Sequence, residues 1–110
     1  MSKNTCIFCK IVNREIPGDI VAETENLLVF RDINPQAPVH LLLIPKRHTE
    51  ELAEIADLAG EILGTISEAA TRLGLSDYRI VLNKGSQAGQ AVPHLHFHIL
   101  GGRQMSWPPG

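Results

Sequence analysis

The chain has 110 residues, which suits one domain and leaves no room for a second. Hydrophobic residues make up 44% and charged residues 20%, a balance that supports a packed core. Ten basic and twelve acidic residues give a net charge of −2, which excludes a surface built to grip polymeric nucleic acid or an anionic membrane. A small anionic ligand, needing only a few local donors, stays within reach. No apolar run approaches the ~20 residues of a membrane span. Met1-Ser2-Lys3-Asn4-Thr5 has no signal-peptide character, so a soluble cytoplasmic protein with flexible residues 1–4 is expected.

In chain order, residues 7–13 are apolar enough for a short helical turn, and Ile16-Pro17-Gly18 breaks it. Residues 20–23 and 27–30 predict two strands joined across Thr24-Glu25-Asn26 as a hairpin. The two prolines of residues 32–38 rule out regular structure there. Residues 39–44 then form an apolar run of buried-strand length that stops at Pro45. Residues 56–73 predict the one long helix: Ala59, Ile62, Leu63, Ile66, Ala69, Ala70 and Leu73 share a face, while Glu61, Glu68 and Arg72 take the other. Gly74 sits where a left-handed C-cap belongs. Residues 78–82 and 94–100 predict two further strands, separated by a loop over residues 83–90, and residues 101–110 form a tail. The pattern is α+β with about five strands in a mainly antiparallel sheet.

The cysteine and histidine usage is unusual. Cys6 and Cys9 form a CxxC, and three of the five histidines fall within His94-Leu95-His96-Phe97-His98. A CxxC in an unsecreted chain points to metal or redox chemistry more than to a structural disulfide. Strand alternation would put the three imidazoles on one face, roughly 6.5–7 Å apart, and Leu95, Phe97 and Ile99 on the other, packed on the helix. Such a row can ligate a transition metal. Alternatively, one neutral imidazole can act as a nucleophile while a neighbour acts as an acid. The preceding loop favours the second, because Gly85, Ser86, Ala88 and Gly89 allow close backbone approach to a phosphate.

His94-Leu95-His96-Phe97-His98-Ile99-Leu100 resembles the His-x-His-x-His-x-x signature of the histidine triad (HIT) superfamily, with an apolar residue at every x. Further blocks agree: Ile7-Phe8-Cys9-Lys10-Ile11, Glu15-Ile16-Pro17, residues 30–38, Ile44-Pro45-Lys46 and the ending from Gly101 to Gly110. Together they are similar to the Hint-like branch of nucleoside phosphoramidases. The resemblance implies a HIT-like fold that works as a homodimer. It implies hydrolysis or nucleotidyl transfer on purine nucleoside 5′-phosphoramidates or acyl-adenylates, with His96 as the nucleophile. His98 would contact the phosphate near the leaving group, and His40 would orient the triad. Asp32 would take the ribose hydroxyls with Ile33 beside the base, while Asn83, Gly89, Gln90 and Ala91 correspond to nucleotide-binding positions. The resemblance also implies a structural zinc on Cys6, Cys9, His48 and His94, not required for the chemistry.

Two departures stand out: Ala91 replaces a common serine, and Pro93 replaces a common aromatic residue. A serine at residue 91 could hydrogen-bond the departing atom, which alanine cannot do. Two other functions therefore stay open, a nucleotide-binding regulatory module with weak residual catalysis and a zinc-binding interaction protein in which the triad supplies ligands. The resemblance also implies that Trp107, in the proline-rich tail, tunes substrate choice near a partner's active site, the alternative being packing on its own subunit.

Overall fold

The computed structural model describes residues 5–110, so the expected flexible stretch at residues 1–4 lies outside the described residues. Helix α1 spans Ile7–Val12, followed by strands β1 (Ile20–Glu23), β2 (Leu27–Arg31) and β3 (Val39–Pro45). Helix α2 covers Ala59–Arg72, and strands β4 (Tyr78–Leu82) and β5 (Phe97–Gly101) complete one five-stranded sheet in the order β1-β2-β3-β5-β4. Every neighbouring pair is antiparallel.

Unlike a sheet with one wet face, the central strands are buried on both sides, which explains why residues 39–45 read as a continuous apolar run. Leu27, Val29, Leu41, Leu43, Leu95 and Ile99 pack with Ile62, Ile66 and Ala69 of α2. On the opposite face, Leu28, Phe30, Leu42 and Ile44 pack with Cys6, Phe8, Cys9 and Ile11 of the α1 segment. The short α1 is therefore the lid over one side of the sheet, and the CxxC sits in that lid.

Two expected boundaries move. The long helix starts at Ala59, not at residue 56, because residues Leu52–Leu58 wind as a 3-10 helix begun by a reciprocal Glu51/Glu54 capping box. With three residues per turn, that winding brings Ile55 and Leu58 to one buried side. The helix closes as expected on Gly74, whose φ of 75° suits a residue without a side chain. The last strand is paired only from Phe97 to Gly101, not from His94. Leu95 instead donates its backbone N–H to Thr49 O at 2.9 Å, and the His94 ring is drawn towards the cysteines, so the ladder to β3 begins later. The alternation of faces survives: Leu95, Phe97 and Ile99 lie against the α2 side, while His94 and His96 meet Phe8 on the other. Among the described residues, no helix is long and apolar enough to cross a membrane.

Ile99 has no exposed surface and joins the sheet to α2. Replacing it with alanine should cost about 2–5 kcal/mol of stability in a urea titration. A loss below about 1 kcal/mol would show that the α2 side of the sheet is not the principal core.

Candidate active site

The histidines separate into two groups. His96 and His98 line a cavity of about 300 Å³ whose remaining wall includes Phe8, Ile11, Ile16, Phe30, Asp32, Ile33, Leu42 and Ala91. The wall is thus mainly apolar and also carries the Asp19 and Asp32 carboxylates, the Arg31 guanidinium and two imidazoles, the mixture expected of a small-molecule site. Ile33, almost wholly exposed, sits on the rim of this cavity. His94 has no exposed surface and belongs to the second group.

Hydrogen-bond partners assign the tautomer of each ring. His96 Nδ1 lies 2.8 Å from the His94 carbonyl, so Nδ1 carries the hydrogen and donates it. The lone pair of Nε2 is then available. The backbone N–H of Gln36 donates to His40 Nδ1 at 3.0 Å, which puts the His40 hydrogen on Nε2. That nitrogen donates to His98 Nδ1 at 2.8 Å, leaving His98 with its hydrogen on Nε2. The cavity therefore holds one imidazole presented as a lone-pair donor and one as a hydrogen donor.

Burial enforces neutrality on this pair of supports. It pushes the His98 imidazole down to about 4, with charge on His96 and His40 acting the same way and Asp32 opposing. Burial also lowers His40, against the attraction of Asp32, whose Oδ2 lies 3.4 Å from His40 Nε2. Phe8 meets the His96 ring edge-to-face with centroids 5.0 Å apart. Asp32 Oδ1 accepts the Asn34 N–H at 2.8 Å, fixing the carboxylate at the mouth of the proline-rich loop.

Not every expected nucleotide contact reaches the cavity. Ala91 lies in its wall, but Asn83, Gly89 and Gln90 are not part of the lining. Their loop is stitched to itself: Gly89 N–H donates to Ser86 O at 3.0 Å, and Gln90 N–H to Gly85 O at 3.2 Å. The Gln90 side chain accepts from Gly85 N–H at 2.8 Å and donates to Val92 O at 3.0 Å, so it braces the loop. Trp107 is 80% exposed, with the Arg79 guanidinium 6.0 Å from its ring.

The second group unites all four residues expected to hold metal. Cys6, Cys9, His48 and His94 bring their ligand atoms within 4.8 Å of one another. His94 Nδ1 lies 3.3 Å from Cys6 Sγ and 3.6 Å from Cys9 Sγ, and His48 Nδ1 lies 3.4 Å from Cys9 Sγ. Tetrahedral bonds of ~2.0–2.3 Å separate neighbouring ligands by about 3.3–3.8 Å, so the spacing fits zinc. The far nitrogens fit too. His94 Nε2 donates to Pro45 O at 2.8 Å and His48 Nε2 to Glu50 Oε2 at 3.0 Å, turning both Nδ1 lone pairs inward. Sequence alone missed Phe8, Gln36 and Glu50. The only available signal was Glu50 standing two residues after His48, since a tertiary ring contact and a main-chain donor leave no mark in side-chain pattern.

The HIT domain matches residues 13–105. The chain belongs to the HIT family. Over the full length of both sequences, this HIT chain is 51% identical to an uncharacterized HIT-like protein of Synechocystis sp.. A HIT family hydrolase from Legionella pneumophila is 49% identical in sequence and superposes with a TM-score of 0.91, covering 96% of this chain and 100% of that one. A histidine triad nucleotide-binding protein from Candida albicans is 35% identical with a TM-score of 0.84, covering 94% and 83%. The fold is accordingly HIT-like, as the triad signature led us to expect.

A buried His98 makes stability depend on pH. Its unfolded imidazole titrates near 6.5 and its folded one at about 4, so between these values the unfolded chain takes the extra proton. The contribution is intact above pH 6.5 and is lost as the pH falls towards 4. The urea midpoint should drop between pH 7 and pH 5, and His98→Gln should make the drop smaller, leaving the share of His94, which burial also pushes down to about 4. A wild-type midpoint that does not change over this interval would contradict the assignment.

Proposed function

We propose that the protein is a hydrolase of the Hint-like branch, cleaving purine nucleoside 5′-phosphoramidates or acyl-adenylates through a nucleotidyl intermediate on His96. The observation that carries this reading is the 2.8 Å bond from His96 Nδ1–H to the His94 carbonyl, which in the neutral ring leaves the lone pair on Nε2, in a side chain that lines the cavity with His98. A neutral imidazole is both a good nucleophile and a good leaving group near neutral pH, the combination a two-step displacement needs. The names of the Legionella and Candida proteins, a hydrolase and a nucleotide-binding protein, support the same direction.

In the first step the Nε2 lone pair attacks the α-phosphorus, a P–N bond forms to His96, and the bond to the amine breaks. The amine leaves with the bonding electrons and takes a proton from solvent water. In the second step water attacks the phosphorus and gives up a proton to solvent, the His96–phosphorus bond breaks with its electrons returning to Nε2, and the nucleoside monophosphate departs. His98 holds its hydrogen on Nε2 and can donate it to phosphoryl oxygen, stabilising the charge that develops there. Phe8, Ile11, Ile16 and Phe30 suit a flat base, and the second lone pairs of Asp32 suit two ribose hydroxyls. At residue 91 only the backbone N–H is available to the phosphate. This supports the second reading, a nucleotide-binding module with weak residual catalysis.

Zinc on Cys6, Cys9, His48 and His94 would be structural, since four protein ligands leave no open position for substrate. It would pin the α1 lid to the end of β3 and to the segment before β5. The third reading, a metal shared by the triad itself, is disfavoured because the three imidazoles do not converge: His94 faces the thiols, His98 groups with His40 and Asp32, and His96 belongs to neither group. A homodimer in a single-domain, cytoplasmic protein completes the proposal. Its support is the free edge of β4 together with exposed Leu52, Leu63 and Ile80 beside it.

Mixing the protein with adenosine 5′-phosphoramidate and quenching in base should give a mass increase of one adenylyl group on His96. His96→Ala should lose the adduct and about 10³-fold or more of turnover while still binding AMP. An adduct elsewhere, or turnover without His96, would remove the mechanism. Ala91→Ser should speed substrates with poor amine leaving groups about fivefold, the worth of one hydrogen bond of ~1 kcal/mol. No gain with any substrate would show that residue 91 does not touch the leaving atom.

A further inference from the structure

The four members of the cysteine–histidine cluster are not held equally. Cys6 and His94 have no exposed surface and Cys9 is 6% exposed. The His48 side chain is 10% exposed, and it lies beyond the end of β3, outside the sheet ladder. The two histidines also differ in what fixes their far nitrogen. His94 Nε2 bonds the main-chain carbonyl of Pro45, which is part of β3 and cannot move without disturbing the strand. His48 Nε2 bonds only a side chain, that of Glu50, which is itself 44% exposed. His48 is therefore the member nearest to solvent; its ring packs edge-to-face on His94 and meets Cys9 Sγ, and Glu50 holds its far nitrogen.

We infer that Glu50 is a positioning residue for the metal cluster, holding His48 as the exchange ligand and setting how fast a bound zinc ion leaves. The inference rests on the zinc reading proposed above. The physical reason is that a carboxylate accepting Nε2–H fixes the tautomer with its lone pair on Nδ1, orients the ring, and makes Nδ1 a better donor to the metal. Glu50 is also held from its own side, since its backbone N–H donates to Glu54 Oε1 at 3.1 Å. Glu54 also closes the capping box of the 3-10 helix, so this turn and the cluster share one anchor. Removing the carboxylate leaves the thiols and His94 as they are and frees only His48.

The test uses the full chain loaded with zinc and mixed with an excess of a chromogenic chelator, following the rate of zinc transfer. Glu50→Ala should release zinc roughly 10–100-fold faster than the parent, the usual effect of losing such an outer partner. Glu50→Gln should fall between the two, because the amide oxygen can still accept the hydrogen without the charge. Glu61→Gln, on α2 and bonded to Asn26, should match the parent. The zinc-free forms of all four proteins should melt at one temperature. Release from Glu50→Ala at the parent rate overturns the inference, as does a lower melting temperature of the zinc-free variant, which would mark general packing instead. A parent protein that takes up no zinc removes the zinc reading itself, a separate outcome from either.

Discussion

The candidate site depends on one main-chain carbonyl. His94 O holds the hydrogen of His96 Nδ1, and the same residue turns its side chain the other way, to two thiols and to Pro45 O. One residue thus orients an imidazole through its backbone and anchors the lid over the sheet through its ring. The cost appears in the fold: residues 94–96 give up ladder pairing with β3, and Leu95 finds Thr49 O as a substitute. The backbone group is satisfied, as a buried N–H must be, but by a loop. Local departure from regular strand structure is therefore tied to what the segment holds and is not a packing defect.

The second support is directional. Gln36 N–H fixes His40, and His40 fixes His98, so hydrogen orientation at the cavity is set from a backbone donor two steps away. Burial reinforces it by holding both imidazoles neutral, since neither charge would be solvated. Phe8 limits the remaining freedom of His96 from the α1 side. The proline-rich stretch at residues 32–38 matters here although it has no regular structure. It brings both Asp32 and the Gln36 donor to His40.

What the sequence disclosed follows from periodicity. Alternation in residues 94–99 separates apolar from imidazole faces, and the structure keeps that separation even where the ladder does not extend. The i, i+3, i+4 spacing of Ile62, Ile66, Ala69 and Ala70 marks the buried face of α2, although Leu63 on the expected stripe is 63% exposed. The metal cluster was legible as four residue types implied by family resemblance, and folding brings their atoms together. The rest was hidden for a physical reason. Hydrogen bonds made by main-chain groups, such as Pro45 O and Gln36 N–H, do not depend on which side chain is present. The 3-10 onset at Leu52 was hidden because Ile55 and Leu58, three apart, fit either helix type equally well.

The self-stitched loop between Gly85 and Val92 has a consequence for binding. A flexible glycine-containing loop normally becomes ordered only when its ligand arrives, and that ordering is subtracted from affinity. Here Gln90 already ties Gly85 to Val92 through both ends of its amide, with Gly89 making the left-handed turn at φ 94°. The bonds that order the stretch leading to Ala91 are thus made within the loop itself. The share of the loop's ordering entropy that these internal bonds offset belongs to folding and not to a ligand.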